Sequence, residues 1–288
     1  MEGNTSFRIR SMNIHDLPLA LELSRQEGWN QTGKDWNFLL SNTQNKCVVV
    51  ESGGRLAGTA TALNYDNRVA WIGMVLINKE LRGQGAGRLV FDHILGELKD
   101  IESIKLDATP AGYPLYRRSG FEDELEICRM TNGSLTNLTI REPGSCIEKI
   151  TEETLPEVIK YDEAVFGVNR TSLLNYFLDN YPDKCYLLRR DKKICAYMLG
   201  RDGIRYNYIG PVYAGKTADA RLLISEALGS LKGKAVALDI MKDKQELTEW
   251  LQSVGFSIQR CFVRMVFRSN KYRGRPEHQY LISGPEYG

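Results

Sequence analysis

The chain has 288 residues, of which 42% are hydrophobic and 26% charged, and its formal net charge is +2. This composition excludes a disordered or fibrous chain, and the near-neutral charge argues against a nucleic-acid binder. No run approaches the ~18 consecutive apolar residues that a membrane span requires, and the opening residues lack the apolar core of a signal peptide. We therefore expect a cytoplasmic protein that has neither a nucleic-acid nor a membrane partner.

The six cysteines are far apart in the sequence and form no CxxC pair. That spacing predicts reduced thiols rather than a disulfide framework, and it predicts no metal site.

Strands and helices alternate irregularly in the first half. Apolar residues at helical spacing predict helices at 13–27 and 87–98, and a shorter helix covers 35–42. Pro18 is compatible with the first of these helices only in its first turn, where its missing N–H has no partner to lose. Strands are predicted at 7–10, 46–52, 55–65, 68–77, 103–109 and 121–130, with a short helix at 110–120.

The same order of elements begins again after a polar, turn-rich stretch, which indicates a tandem repeat. The predicted units are a first domain at 1–135, a linker at 136–144 and a second domain at 145–288. The polar stretch 269–288 predicts a tail that is at most partly ordered. The fold class is α/β (α+β): two tandem domains, each a mixed, mostly antiparallel sheet flanked by helices.

The most informative segment joins the strand ending at Ile77 to the following helix. It reads Arg82-Gly83-Gln84-Gly85-Ala86-Gly87-Arg88. Glycines let backbone N–H groups approach an anion, and a helix N-terminus adds partial positive charge. Arg82 and Arg88 add two cations suited to a pyrophosphate. A dinucleotide fold fits poorly because its glycines follow the first strand of a parallel sheet, and no Walker A lysine is present.

This segment resembles the signature of the GNAT acyltransferase superfamily, Arg/Gln-x-x-Gly-x-Gly/Ala, which it matches in full. The resemblance implies acetyl-CoA as cosubstrate, with the pyrophosphate on the amides of 82–88. It also implies that the pantetheine arm pairs with the backbone of Val75, Leu76 and Ile77.

A second GNAT-like motif follows the strand at 103–109. The family pattern Asn-x-x-Ala-x-x-Leu-Tyr-x-x-x-Gly-Phe is met at Leu115, Tyr116, Gly120 and Phe121, whereas Thr109 and Gly112 replace the usual Asn and Ala. The resemblance implies that Tyr116 is the general acid for the leaving thiolate and that Thr109 contacts the coenzyme. The alternative is that Tyr116 only packs in the core.

No carboxylate lies on the strand 69–77, where many GNAT enzymes carry their base. Glu27, Asp35, Asp66 and Asp107 remain candidates, as does a water chain, although each carboxylate is more commonly a solvated or capping group. His93 is interpreted as a helix-face residue. In the GNAT architecture the connection between the first two helices borders the acceptor site, so Trp29 and Asn30 are candidate acceptor contacts, with core packing as the alternative for Trp29.

The second half retains the pattern of elements but not the motifs. Aligning the repeats places Gly215-Lys216-Thr217-Ala218-Asp219-Ala220 opposite the glycine loop, where a carboxylate at Asp219 would repel phosphates. The position of Tyr116 is occupied by Leu251. We expect a degenerate GNAT-like domain that binds no coenzyme and that completes the acceptor pocket or stiffens the enzyme, with an unrelated effector as the alternative.

The leading hypothesis is an acetyl-CoA-dependent N-acetyltransferase that acts on a small-molecule amine by direct attack, as a monomer or homodimer. The alternatives are a protein or peptide N-acetyltransferase and a non-catalytic CoA-binding sensor. The intact loop Arg82–Gly87 argues against an aminoacyl-transferring tandem GNAT protein.

Overall fold

The computed structural model describes residues 6–135 and 146–288. In the first of these ranges, Pro18 lies in the first turn of an α-helix, as predicted. The strands of this half are β1 (Phe7–Ser11), β2 (Lys46–Ser52), β3 (Arg55–Tyr65), β4 (Val69–Ile77), β5 (Ser103–Ala108) and β6 (Glu122–Asn132). Its α-helices are α1 (Leu17–Gln26), α2 (Gly33–Ser41), α3 (Ala86–Glu97) and α4 (Tyr113–Arg118).

The second half repeats this order of elements and adds one short strand near its end. Its strands are β7 (Ile147–Lys149), β8 (Tyr186–Arg190), β9 (Lys193–Arg201), β10 (Asn207–Ala214), β11 (Val236–Met241), β12 (Ser257–Arg268) and β13 (Gln279–Leu281). Its α-helices are α5 (Leu155–Phe166), α6 (Thr171–Asn180), α7 (Thr217–Ser230) and α8 (Gln245–Ser253).

These strands form one continuous sheet, in the order β1-β2-β3-β4-β5-β12-β6-β11-β13-β10-β9-β8-β7. The last long strand of each half is exchanged: β12 pairs with β5 of the first half, and β6 pairs with β11 of the second. The pairing is antiparallel except between β4 and β5 and between β10 and β11. The predicted mixed, mostly antiparallel α/β fold is thus confirmed. The predicted linker 136–144 lies outside the described residues, and the domain boundaries stay a prediction.

The helices cover both faces of this sheet. On one face α1, α2, α5 and α6 share a single apolar core, so the two halves are packed together there. On the other face α3 and α4 bury their apolar side chains against the first half, whereas α7 and α8 do so against the second. Within residues 6–135 and 146–288, no helix is long and apolar enough to cross a membrane.

The prediction that all six cysteines are reduced thiols is wrong for two of them. Cys128 on β6 and Cys261 on β12 form a disulfide, although 133 residues separate them in the sequence. They are register partners on neighbouring antiparallel strands, with Cα atoms 4.0 Å apart. The strand exchange therefore creates the pairing, and cysteine spacing alone could not reveal it.

The prediction of a partly ordered tail is also wrong. Residues 283–288, which we call the tail segment, form a closed turn in which the Gly288 N–H donates to the Gly284 carbonyl at 2.9 Å. The Tyr287 side chain is fully buried in the core shared by the two halves. The polar composition of the stretch is misleading because its apolar residues Tyr280, Leu281, Ile282 and Tyr287 are all buried.

The tail segment, which belongs to the second half, is bonded to the first half. The Trp71 indole donates to the Pro285 carbonyl at 3.0 Å, and the Tyr65 hydroxyl donates to the Tyr287 carbonyl at 2.8 Å. The Tyr287 hydroxyl in turn donates to Oδ1 of Asp35 at 3.0 Å. The segment therefore links β4, on which Trp71 lies, to the start of α2, which contains Asp35.

Candidate active site

The strands β4 and β5 form a fork. They pair as parallel strands from Val69–Ser103 to Ile72–Leu106 and then diverge, as β4 follows β3 and β5 follows β12. Beyond Ile72, the edge of β4 that faces β5 has no strand partner within the described residues. A cavity of about 280 Å³ opens there. Its wall includes β4 residues 72–77 together with Glu27, Trp29, Gln31, Arg82, Gly87, Leu106, Asp107, Thr109, Tyr116, Arg129, Arg260, Phe262, Pro285 and Glu286.

A bulge in β4 lies where the fork opens. Met74 has a φ of 51°, in the left-handed region that a non-glycine residue rarely adopts. The Thr59 hydroxyl donates to the Met74 carbonyl at 2.7 Å, and the Thr61 hydroxyl donates to the Gly73 carbonyl at 3.1 Å. Bulges bend strands and are frequent next to active sites. Here the two threonines of β3 hold the bent part of β4 away from β5.

The glycine loop leads from the end of β4 into α3. Gly83 and Gly85 have φ values of 77° and 90°, so both positions use the conformational freedom of glycine. The first amides of a helix have no partner within it, and they carry the positive end of its dipole. Gly87, in the first turn of α3, lines the cavity. The loop therefore presents the first backbone amides of α3 and the positive end of its dipole at the mouth of the fork.

The two arginines of the loop have different surroundings. Arg82 lines the cavity, and its guanidinium donates to the Ile77 carbonyl at 3.1 Å and to Oε1 of Glu27 at 2.6 Å. Arg88 projects from α3 into solvent and pairs with Asp92 one turn later. Arg82 is thus hydrogen-bonded at the mouth of the fork, whereas Arg88 lies outside the cavity wall.

Tyr116 lies on α4 with its ring buried between Phe91 and Phe121. It lines the cavity, and its hydroxyl makes no hydrogen bond to any residue that the structure describes. Burial raises the pKa of the Tyr116 phenol well above its ordinary value. The side chain therefore packs in the core and also presents an unbonded, neutral phenol at the cavity.

The two departures from the second motif have local explanations. The Gly112 N–H approaches the Thr109 hydroxyl at 3.3 Å, so Thr109 closes the turn before α4. A Cβ on Gly112 would lie 2.8 Å from the Tyr116 ring, closer than real Cβ contacts. Glycine at this position thus gives the Tyr116 ring its space.

The neighbouring residues Trp29 and Asn30 have different surroundings. Trp29 is half-buried and lines the cavity. Asn30 is buried outside the cavity wall, where its Oδ1 accepts the N–H groups of Arg205 and Tyr206, both at 2.9 Å. Its Nδ2 donates to the Tyr206 carbonyl at 3.0 Å. Asn30 therefore joins the first half to the connection between β9 and β10.

The four candidate bases are placed in four different settings. Glu27 lies in the cavity wall, where Arg82 and Lys79 contact it. Asp107 also lines the cavity, but both of its oxygens accept from Arg264, at 2.8 and 3.0 Å. Asp35 and Asp66 are outside the wall: Asp35 is a buried acceptor for several donors and Asp66 lies in an exposed turn. His93 is exposed on α3.

Sequence analysis missed the side chains that reach the cavity from the second half and the tail segment. Arg260 and Phe262 come from the exchanged strand β12, and Glu286 comes from the tail segment. Burial, with Arg129 nearby, lowers the pKa of Arg260 to about 10, and its Nε has no partner among the described residues. The strand exchange brings Arg260 and Phe262 to the cavity, and the packing of the tail segment against the first half brings Glu286, so no local pattern indicates them.

The second half contains the corresponding fork in a closed form. The strands β10 and β11 pair in parallel from Asn207–Val236 to Ile209–Leu238 and then diverge. The strand β13 lies in the gap, with Leu281 opposite Val212 of β10 and Ile240 of β11. A segment of the chain itself thus fills the place that is open between β4 and β5.

The second half lacks the groups that correspond to the glycine loop and to Tyr116. Asp219 is buried and pairs with Arg190 at 2.8 Å, so its carboxylate does not face a ligand site as the alignment suggested. Leu251, at the position of Tyr116, is fully buried in the core under α7 and α8. The second half therefore retains the architecture without the chemical groups, as the sequence predicted.

Comparison with known proteins agrees with both halves of this description. A family model described as Acetyltransferase (GNAT) family matches residues 12–121, and one described as Acetyltransferase (GNAT) domain matches residues 158–281. Holothin acyltransferase from Pseudoalteromonas sp. (strain SANK 73390) is 25% identical over 265 residues, which cover 88% of this chain and 87% of that protein.

Two solved structures share the fold across nearly the whole chain. A Pyrococcus horikoshii protein assigned as an acetyltransferase has a TM-score of 0.81 at 19% identity, covering 100% of this chain and 97% of its own. A tandem GNAT protein from the clavulanic acid biosynthesis pathway has a TM-score of 0.62 at 14% identity, covering 91% and 98%. This chain belongs to the GNAT superfamily, as an acetyl-CoA-dependent N-acetyltransferase with two tandem GNAT domains.

Proposed function

We propose that this protein transfers the acetyl group of acetyl-CoA to the primary amine of a small molecule, with Tyr116 as the general acid. The observation that carries the proposal is one continuous cavity. Its wall combines the free edge of β4 and Tyr116 with side chains from β12 and the tail segment. One surface could therefore hold the thioester while the opposite one holds the acceptor.

The open fork supplies what the coenzyme needs. The backbone of Val75, Leu76 and Ile77 lies on the unpaired edge of β4, where a pantetheine arm can pair as a strand does. The amides of Gly83–Arg88 open α3 and suit the pyrophosphate, with Arg82 beside them. Thr109 lines the cavity near Tyr116, where we expect it to contact the coenzyme.

The cavity favours a small acceptor over a polypeptide. Its volume of about 280 Å³ is at the lower end of the range for small-molecule pockets. Arg260 and Phe262 of β12 and Pro285 of the tail segment also line it, so several elements enclose the cavity, which restricts access by a protein surface. Trp29 adds an aromatic side chain that can pack against the acceptor. The relative from Pseudoalteromonas is named for acylating holothin, so holothin belongs in the acceptor panel.

Tyr116 has the properties of an acid for a thiolate leaving group. Its phenol is protonated at neutral pH, since the ordinary pKa of tyrosine is about 10 and burial raises the pKa of Tyr116 further. The hydroxyl is also free to donate, since no described residue binds it. When the carbon–sulfur bond breaks, Tyr116 can give its proton to the sulfur without carrying a charge beforehand.

The test is thiol release from acetyl-CoA with a panel of small amines and with lysine-containing peptides, for the wild type and for Tyr116→Phe. We expect release with a small amine, and a fall in kcat of about 10²- to 10⁴-fold in the variant. Affinity for coenzyme A, measured by calorimetry, should change little because the ring and its packing remain.

The control is Tyr113→Phe, which removes a hydroxyl from the same helix. That hydroxyl bonds Asp123 at the protein surface, so turnover should stay near the wild-type value. Unaltered turnover in Tyr116→Phe would exclude the acid role. Coenzyme binding without thiol release for any amine would indicate a CoA-binding sensor, and release with peptides alone would favour a protein acceptor.

A further inference from the structure

Acetyl transfer to an amine requires a proton acceptor, because a primary amine is an ammonium ion at neutral pH and has no free electron pair. The strand β4 offers no carboxylate for this step. We propose that Glu286 of the tail segment is the general base that binds and deprotonates the acceptor amine. This inference rests on the proposed function, since it assigns a residue to the same reaction.

The carboxylates in the cavity wall differ in what already contacts them. Asp107 is fully committed to Arg264 through both oxygens. Glu27 lies near the mouth of the fork, in contact with Arg82 and Lys79. Glu286 is different: its Oε1 accepts from Arg201 at 2.6 Å, while its Oε2 has no hydrogen-bond partner among the described residues. That oxygen is the one carboxylate acceptor of the described wall that is both buried and unpaired.

Glu286 is held directly against the open fork. A Cβ on Gly73 would lie 2.9 Å from the Glu286 Cα, so glycine at this position of β4 lets the tail segment pack against the strand. The neighbours of Glu286 are anchored on both sides, Pro285 by the Trp71 indole and Tyr287 by the Tyr65 hydroxyl. The tail segment thus brings a carboxylate to the part of β4 that carries none.

The groups around Glu286 shift the pKa of its carboxyl group in opposite directions. Burial raises its pKa above the ordinary glutamate value, and the charge of Asp35 acts in the same direction. Arg201 and the Gln31 side chain oppose this shift and favour the anion. Arg201 is shared, because it also donates to Asp35 at 2.9 Å, so one guanidinium serves two carboxylates. A cationic amine beside Oε2 would compensate the remaining negative charge.

The proton and electron balance of the step closes. Glu286 takes one proton from the ammonium group, directly or through one water, and the freed nitrogen pair forms a bond to the thioester carbonyl carbon. The carbon–sulfur bond breaks, and Tyr116 gives its proton to the sulfur. The resulting phenolate takes back the second proton of the nitrogen as the amide forms. Glu286 then releases its proton to solvent, so both residues return to their starting states.

The experiment compares the wild type with Glu286→Gln, whose amide oxygen can still accept from Arg201 but which cannot serve as a base. With the amine identified by the panel, we expect kcat to fall about 10²- to 10⁴-fold while calorimetric affinity for coenzyme A stays within about twofold. The control is Glu124→Gln, which removes another buried carboxylate, one that pairs with Lys105 outside the cavity wall. It should reduce stability more than turnover.

The pH profile separates a base from a structural residue. In the wild type, kcat/KM should decline as the pH falls through the raised pKa of Glu286. In Glu286→Gln that limb should disappear, and activity should instead rise with the ionisation of the amine itself, so that the two proteins approach each other at alkaline pH. A variant that loses activity equally at every pH, or one that keeps wild-type turnover, would overturn the role of Glu286 alone. A wild type that releases no thiol with any amine overturns the proposed function, and this inference with it.

Discussion

The two halves of the molecule contain the same fork of parallel strands, and the chain uses the two forks differently. Between β4 and β5 the gap is open and lined by aliphatic residues of β4 together with polar and aromatic side chains. Between β10 and β11 the gap is occupied by β13, and Leu281 there is fully buried. Exposed strand edges present unpaired backbone groups that need a partner. The second half supplies that partner from its own chain, whereas on our proposal the first half takes it from the coenzyme.

The loops that follow β4 and β10 also differ between the two halves. Gly83 and Gly85 adopt left-handed backbone conformations before α3. The corresponding loop leads into α7, where Asp219 is buried in an ion pair with Arg190. A phosphate would meet amides at the first helix, whereas the loop before the second helix lacks the three alternating glycines and its Asp219 carboxylate is already paired with Arg190. The second half thus combines a closed fork with a loop that lacks the alternating glycines, while its strand β12 and the tail segment line the cavity of the first half.

The largest expected effect comes from weakening the strand that closes the second fork. Leu281→Ala should lower the free energy of unfolding by about 2–5 kcal/mol, the usual cost of truncating a buried leucine. The matched variant Val75→Ala changes a half-buried residue at the open fork and should cost less than about 1.5 kcal/mol. Urea unfolding of both variants measures the difference.

The response of Leu281→Ala to the coenzyme tests the same contrast between the forks. Saturating coenzyme A raises the stability of any variant whose binding site is intact. We expect the same increment for Leu281→Ala as for the wild type, because β13 fills the other fork. A coenzyme increment lost in Leu281→Ala would show that the second fork takes part in binding, and the contrast between the forks would not hold.

A second, smaller effect concerns the anion site. Gly87→Asp introduces a carboxylate in the first turn of α3, where a Cβ would have only an ordinary 3.6 Å contact with Ile77. Repulsion of the pyrophosphate should weaken coenzyme binding by roughly 1–2 kcal/mol, or about 5- to 30-fold in Kd by calorimetry. Gly96→Asp adds the same charge near the other end of α3 in open space, and its Kd should match the wild type. Equal Kd values for the two variants would contradict an anion site at this loop.

The sequence predicted those features that depend on local chemistry. The glycines at 83 and 85 predict a loop with left-handed backbone conformations, which only glycine adopts readily. The apolar spacing of 87–98 predicts the helix after them. The short helix that carries Tyr116 is likewise encoded within about ten residues. The loss of both motifs in the second half was therefore also visible before the fold was known.

Features that depend on distant pairing were not predictable in this way. The exchange of β6 and β12 creates the Cys128–Cys261 disulfide from residues whose spacing suggests none. The strand β13 has three residues, too few to show a period, and it lies in a polar stretch. Glu286 follows a proline in that stretch and resembles a solvated glutamate until its burial is known. In each case the structure depends on a residue more than a hundred positions away in the sequence or on a gap between two strands, and neither leaves a local pattern.

The smallest expected effect on ligand affinity separates two neighbouring residues that the sequence grouped together. Asn30→Ala removes the acceptor for the N–H groups of Arg205 and Tyr206, and leaving these groups unpaired should cost about 1–3 kcal/mol of unfolding free energy. Because Asn30 is outside the cavity wall, the acceptor KM should stay near the wild-type value. Trp29→Phe retains an aromatic ring but shortens a side chain of the wall, so its KM should rise roughly threefold or more with a smaller loss of stability. Steady-state kinetics and urea unfolding are measured on both variants. A raised acceptor KM in Asn30→Ala would place Asn30 at the acceptor. A lower free energy of unfolding with an unchanged KM means that Asn30 serves to hold the two halves together.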